Sequence, residues 1–309
     1  MKRGVVVALS ALLLAACGGG GGAATSRSSG SAEPVTVDTR FGPVTIDKPP
    51  VRVVALGWSD AEAALALGVQ PVGASDWLGF GGKGVGPWAA DRYTTEPKLL
   101  GTTEIDYEAV AALQPDLILD TRSDNDEKKH ETLSRIAPTV GAPKDVISYG
   151  TTWKQQVELV AKALGKEAEG ARIVADLDGK FAAARKFEGK TAVVGAYFDG
   201  KFGAYVKGDS RADFLASIGF TPKKDVEALA SGSFYVPISD ERLDLLQADL
   251  TVVFPIGSDL AALENHPLLT GKALILKDKD LVNAFSSGSS LGTAYALEKA
   301  VPLFAEAVA

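Results

Sequence analysis

Arg122 follows the apolar run "LILD", and Arg211 opens the segment "RADFLASIGF". A guanidinium offers a planar fork of donors that matches paired oxygens on an anionic ligand. Aromatic residues occupy comparable places. Trp58 follows "VVAL", Trp77 follows "VGA", Tyr197 follows "VVGA" and Phe285 follows "LVNA". Trp88 and Tyr205 join them from a glycine-rich loop and a hairpin. Small-ligand sites are mostly apolar with a few placed polar groups, so these residues are the candidate ligand contacts. Each also has a plainer reading. A Trp near a strand end can be core packing, and Arg122 can pair with Asp120 or Asp124 across a loop at little energetic gain.

Other chemistries have weaker support. The two histidines, His130 and His266, lie in a charged helical stretch and before Pro267, with no cluster of ligands around them, so a resident metal ion of the zinc type is not expected. The letters "G-x-S-x-G" fall at 288–292, where "SSGSS" is not read as a nucleophile elbow; "GFGGKGVG" does not follow a strand and open a helix as a dinucleotide fingerprint does, and there is no Walker A motif. A hydrolase remains a reading to be tested, but an enzyme is not the expectation. The formal net charge is −7, which argues against a nucleic-acid partner.

The candidates sit at turns between alternating strands and helices. Strands are expected at "VRVVAL", "VQPVGA", "LILD", "TAVVGAYF", "LTVVF", "KALILKD" and "DLVNAF". Helices are expected at "SDAEAALALG", capped by Ser59 or Asp60, then at "EAVAALQ", "NDEKKHETLSRI", "TTWKQQVELVAKALG" and "SRADFLASIG". A closing helix carries Pro302 as a kink or break. The order restarts after residue 187, and "DYEAVAALQPDLILD" is echoed by "SDERLDLLQADLTVV", which aligns Glu108 with Glu241. The fold class is therefore α/β, two Rossmann-like lobes with parallel sheets. Strand carboxyl ends face each other across a ligand cleft. The domain reading is a leader at 1–16, Cys17 with a Gly/Ser tether to 34, a first lobe at 35–165, a connecting helix at 166–187 and a second lobe at 188–309.

The leader has a basic start at Lys2 and Arg3 and an apolar run, Val5 to Leu14, too short to span a bilayer. Its end, "LAAC", resembles the lipobox of bacterial lipoproteins, which implies cleavage before Cys17 and lipid on its sulfur. Cys17 is the single cysteine of the chain, so no intrachain disulfide can form.

From Val51 onward the sequence resembles the substrate-binding lipoproteins of bacterial ABC importers for ferric siderophores, heme and cobalamin. The resemblance rests on "RVVALGWSDAEAALALGVQPVGASDW", "EAVAALQPDLIL", "LSRIAPTV", "SRADFLASIGF", "ERLDLLQADLTVVF" and "FSSGSSLGTAYALEKAVP". It implies one rigid helix joining the lobes, a lipid-anchored monomer on the outer face of the cell membrane, and a permease dimer with its ATPase as partner. It also implies that Glu108 and Glu241 each meet an Arg of the permease; the plainer reading is two solvated glutamates favoured by a helix dipole. No cofactor is expected, because iron would arrive chelated. With two convincing cations, a hydroxamate, mixed or carboxylate chelate is expected over a catecholate. Heme held by a Tyr or His, or cobalamin, remains an alternative ligand, and a sensor or adhesion role an alternative use of the fold.

Overall fold

The computed structural model describes residues 33–309 except 103, 258–259 and 267–272. The leader, Cys17 and the tether through residue 32 lie outside the described residues. The folded part opens with a hairpin of β1 (Val35–Thr39) and β2 (Gly42–Ile46). Then come β3 (Val53–Ala55), α1 (Asp60–Ala66), β4 (Gly73–Ala74), α2 (Pro87–Ala90), β5 (Lys98–Leu99) and α3 (Tyr107–Ala112). The first lobe continues through β6 (Leu117–Leu119), α4 (Glu127–Ser134), β7 (Thr139–Val140) and α5 (Trp153–Ala163), and α6 (Glu167–Ala184) leads out of it. The second lobe runs through β8 (Thr191–Phe198), β9 (Lys201–Tyr205), α7 (Ser210–Ser217), β10 (Thr221–Pro222), α8 (Lys224–Glu227) and β11 (Tyr235–Ile238). A 3-10 helix (Asp240–Leu246) precedes β12 (Leu250–Pro255), α9 (Leu260–Glu264), β13 (Leu274–Ile275), α10 (Lys279–Ser287) and α11 (Ser290–Ala307).

The first sheet has the order β5-β4-β3-β6-β7 and all its pairings are parallel. Its central strands are buried on both faces. Val53, Leu117 and Leu119 pack toward α5, while Val54 and Ile118 pack with Val110 and Leu133. Such strands read as continuous apolar runs because helices cover both sides. The second sheet, β11-β9-β8-β12-β13, is mixed, since β9 pairs antiparallel with both β8 and β11. Asp199 and Gly200 turn the β8–β9 hairpin with φ of 47° and 74°, the left-handed pair that matches strand twist.

Between the lobes, α6 buries the stripe Val174, Leu177 and Phe181 and packs against α5 and α11. The C-terminal helix α11 also packs against α1 and α2, so it ties the end of the chain back to the first lobe.

Several expectations need correction. "DLVNAF" is helix α10, not a strand: Asp278 caps it by accepting from Leu281 N at 2.8 Å, and an N-cap carboxylate favours helix over extended chain. Helix α11 continues through Pro302, an exposed residue, so the expected break does not occur. The echo at Glu241 is a 3-10 helix where Glu108 sits in an α-helix. Ser59 precedes α1 in the left-handed region, φ 63°, and makes no capping bond there; both Ser59 and Asp60 are turned to other work. The two histidines are half-buried: His130 stacks on Phe41 at 4.1 Å, and His266 meets Phe202 edge-on at 4.9 Å.

Candidate ligand site

Three aromatic rings from three separate loops form a ladder in the first lobe. Trp58 stacks on Trp77 at 4.2 Å between centroids and on Tyr149 at 4.0 Å. The loops leave the carboxyl ends of β3, β4 and β7, where open α/β sheets place their ligands. Two of the ladder's supports are backbone outliers: Ser59 at φ 63° and Tyr149 at φ 59°. Left-handed backbone at non-glycine residues costs energy and concentrates at binding sites.

Arg122 lies beside this ladder, its guanidinium 6.0 Å from the Trp58 ring and 5.9 Å from the Trp77 ring. It does not pair with Asp120 or Asp124. Lys129 occupies both of those, at 3.0 and 3.3 Å. Instead Arg122 Nε donates to Tyr149 O at 2.9 Å and Nη1 donates to Ser287 O at 2.6 Å. Ser59 Oγ donates to the same carbonyl at 2.7 Å and accepts from Trp77 Nε1 at 3.2 Å. A Cβ at Gly288 would run into the Arg122 guanidinium, and its φ is 59°, so glycine is required there on both counts. Burial pulls the pKa of Arg122 down to about 10, with Asp209 opposing and Arg211 adding to the fall; the side chain stays cationic at neutral pH.

From the second lobe, Arg211 lies over the Tyr205 ring at 3.5 Å, a cation–π contact of short range. Its Nε and Nη2 donate to Asp209 Oδ1 and Oδ2 at 2.8 and 2.7 Å, a bidentate pair, while Nη1 reaches Ser286 Oγ at 3.4 Å. Burial works against its charge, but Asp209 and then Tyr205 outweigh burial and hold its pKa above the ordinary value. Ser286 and Ser287 are thus neighbours of both arginines, one from each lobe.

Two cavities flank this cluster. One of about 830 Å³ lies between the 124–148 segment of the first lobe and Gly232–Phe234 of the second, with Ile147, Ser148 and Phe234 in its wall. A narrower one of about 600 Å³ lies on the α6 side, reached by Arg122, Trp153, Phe181 and Phe214. The larger is formed by loops adjoining Tyr149 and Tyr235 and has the size of a small-molecule site.

The candidates divide accordingly. Trp58, Trp77, Arg122, Tyr205 and Arg211 come together. Trp88 does not join them: its Nε1 donates to Glu62 at 2.8 Å and its ring meets Tyr295 at 5.4 Å. Tyr197 packs on Phe202 at 4.8 Å, in the core on the other face of the β8 sheet from Tyr205. Phe285 lies on helix α10 rather than at a strand end; it is buried among Phe214 and Phe304 and lines the smaller cavity together with Arg122. Tyr149 and Asp209 were missed. Asp209 carried a signal, since a carboxylate two residues before an Arg at a helix start can cap and pair at once; it accepts from Arg211 N at 2.9 Å.

Beneath the site lies a buried carboxylate, Asp60. Asp60 accepts from Thr121 N at 2.8 Å, from Thr121 Oγ1 and from Gln156 Nε2 at 2.8 Å. Burial, against these hydrogen bonds, raises its pKa to about 6. The native state therefore binds the extra proton, and the contribution of Asp60 to stability is largest below about pH 4 and declines as pH rises to about 6, by roughly 3 kcal/mol. Thermal unfolding from pH 4 to 7.5 should show that decline in the parent and a shallower one in Asp60→Asn; parallel curves would exclude Asp60 as its source. Among the described residues, no three His, Cys, Asp or Glu side chains are grouped to hold a metal ion.

Residues 53–269 match the family model described as periplasmic binding protein. The chain belongs to that family. It is 31% identical over 224 residues to the probable siderophore-binding lipoprotein YfiY of Bacillus subtilis, covering 69% of this chain and 66% of that protein's length. Among solved structures, a periplasmic solute-binding protein from Mycobacterium smegmatis superposes with TM-score 0.77 at 29% identity, covering 89% of this chain and 99% of that one. PiaA of Streptococcus pneumoniae in complex with ferrichrome superposes with TM-score 0.75 at 26% identity, over 89% and 98% of the two chains. These are binding proteins, and the family places the chain among binding proteins rather than enzymes. The two-lobed α/β fold read from the sequence is the fold of this family. Among the described residues no helix is long and apolar enough to cross a membrane.

Proposed function

We propose that the chain captures a ferric siderophore between its lobes and delivers it to an ABC importer for iron uptake. The observation that carries this reading is the convergence of Arg122 and the Trp58–Trp77–Tyr149 ladder from one lobe with Arg211 and Tyr205 from the other. Rings supply apolar area for the organic shell of a chelate, and guanidinium groups supply donors for its oxygens. The names of the Bacillus relative and of the Streptococcus complex support the ligand class. The anchor at Cys17 rests on the leader sequence and on the lipoprotein name of that relative, and it places the protein at the outer face of the cell membrane.

Because Trp58 and Trp77 lie in the site, tryptophan fluorescence reports binding directly. Ferric siderophores should quench it with a dissociation constant below about 1 μM, and the iron-free siderophores should bind more weakly. Arg122→Met should weaken binding by at least about tenfold, the loss expected of a charge-assisted contact. Absence of binding by every ferric siderophore in a panel, or a Soret band with heme at similar affinity, would overturn the assignment.

A further inference from the structure

We infer that Asp209 sets the charge class of the ligand, so that the site takes a ferric chelate of little or no net charge, a trihydroxamate in type, over a triply negative tris-catecholate. The inference rests on the siderophore reading and adds its selectivity. Arg211 is the cation that the second lobe brings to the site, and Asp209 holds it bidentately at 2.7 and 2.8 Å, nine-tenths shielded from solvent on both sides or nearly so, with side-chain exposures of 12% and 3%. A guanidinium fork filled by a carboxylate has few donors left for a second anion, and what Arg211 retains points at Ser286. Arg122 has no acid partner, but its Nε and Nη1 are committed to the Tyr149 and Ser287 carbonyls. The wall of the larger cavity balances in the same way: Arg40 and Lys144 stand against Asp124 and Asp145. Buried Asp60, close enough to act on Arg122 electrostatically, adds negative rather than positive charge.

Among the described residues at the site, cations and carboxylates therefore come close to cancelling. Burying a highly charged ligand without compensating charge is expensive. An uncharged chelate incurs no such penalty and gains from the rings of Trp58, Trp77, Tyr149 and Tyr205. Asp209 is thus a device for rejecting anions as much as for holding Arg211.

The test compares ferrichrome, an uncharged ferric trihydroxamate, with a hexadentate ferric tris-catecholate on the full chain. The unaltered protein should bind ferrichrome more tightly. Asp209→Asn keeps a side chain able to cap α7 and frees the Arg211 fork, so the ratio of affinities should move toward the catecholate by about tenfold or more. Asp209→Ser, also a capping residue, serves if the Asn protein does not fold. A preference of the unaltered protein for the catecholate, or an unchanged ratio in the variant that folds, overturns the inference and leaves the siderophore reading standing. Binding of neither chelate overturns the inference, while the siderophore reading falls only when no ferric siderophore of the wider panel binds.

Discussion

Reversing Glu108 and Glu241 together, Glu108→Arg with Glu241→Arg, should abolish uptake of the siderophore by cells while the purified protein binds it with unchanged affinity. Both side chains are exposed. Each precedes a strand that leads to the site: Glu108 lies before β6, whose far end delivers Arg122, and Glu241 lies before β12, whose far end lies near Phe254 under Arg211. A side chain at the amino end of such a strand is separated from the ligand by the length of the sheet, so charge reversal there leaves the ligand's contacts in place. On the docking reading, in which the two glutamates meet cationic residues of a permease, reversal converts attraction into like-charge repulsion, and one reversal alone should reduce uptake by about tenfold or more. Glu241 has its pKa lowered by its own backbone N–H and the Ser239 hydroxyl, so it stays anionic in any medium near neutrality. Uptake at the unaltered rate in the double variant would remove both glutamates from docking. Loss of ligand affinity instead would mean that they belong to the site.

Glu62→Ala should be the most destabilising single change near the site, by about 3 kcal/mol, read as a lowered midpoint in urea unfolding. Glu62 is buried in α1 and accepts from two segments far apart in sequence. Trp88 Nε1 donates to it at 2.8 Å, Gly86 N lies at 3.5 Å, and Ser289 Oγ donates a short hydrogen bond from the N-cap of α11. Burial raises its pKa despite these donors, so the carboxylate is held in a poorly solvated place for the sake of its partners. Ala leaves buried donors without an acceptor and loosens the tie between α1 and the C-terminal helix. Glu62→Gln keeps one acceptor oxygen and the volume and should cost clearly less. Equal stability of the Ala variant and the parent would mean that the Ser289 and Trp88 contacts add nothing net.

Much of the architecture was legible because its signals are local. Buried parallel strands such as "VVA" and "LIL" announce themselves as apolar runs, and "TTWKQQ" carries a capping box that the structure contains in full. Helix α10 was misread because "LVNAF" satisfies either period over so short a span, and the deciding residue, Asp278, lies outside it. The site was half legible. Arg122 could be chosen because strand ends in α/β folds are where ligands bind, and Arg211 because it opens a helix of the second lobe. Which of the aromatic candidates would join them depended on which face of a strand or helix each side chain took, and one residue of register separates Tyr197 from that face.

The sequence by itself therefore determined the α/β order and the repeated lobe and singled out the two arginines, all of which depend on composition and short-range spacing. The tertiary structure alone decided that Tyr149 completes an aromatic ladder, that Ser286 and Ser287 lie against arginines from both lobes, and that Asp209 holds Arg211. Those facts rest on contacts between residues as far apart as Ser59 and Ser287. Such contacts exist only once helices and sheets have packed, because the chain between them has no local pattern that records its distant partner.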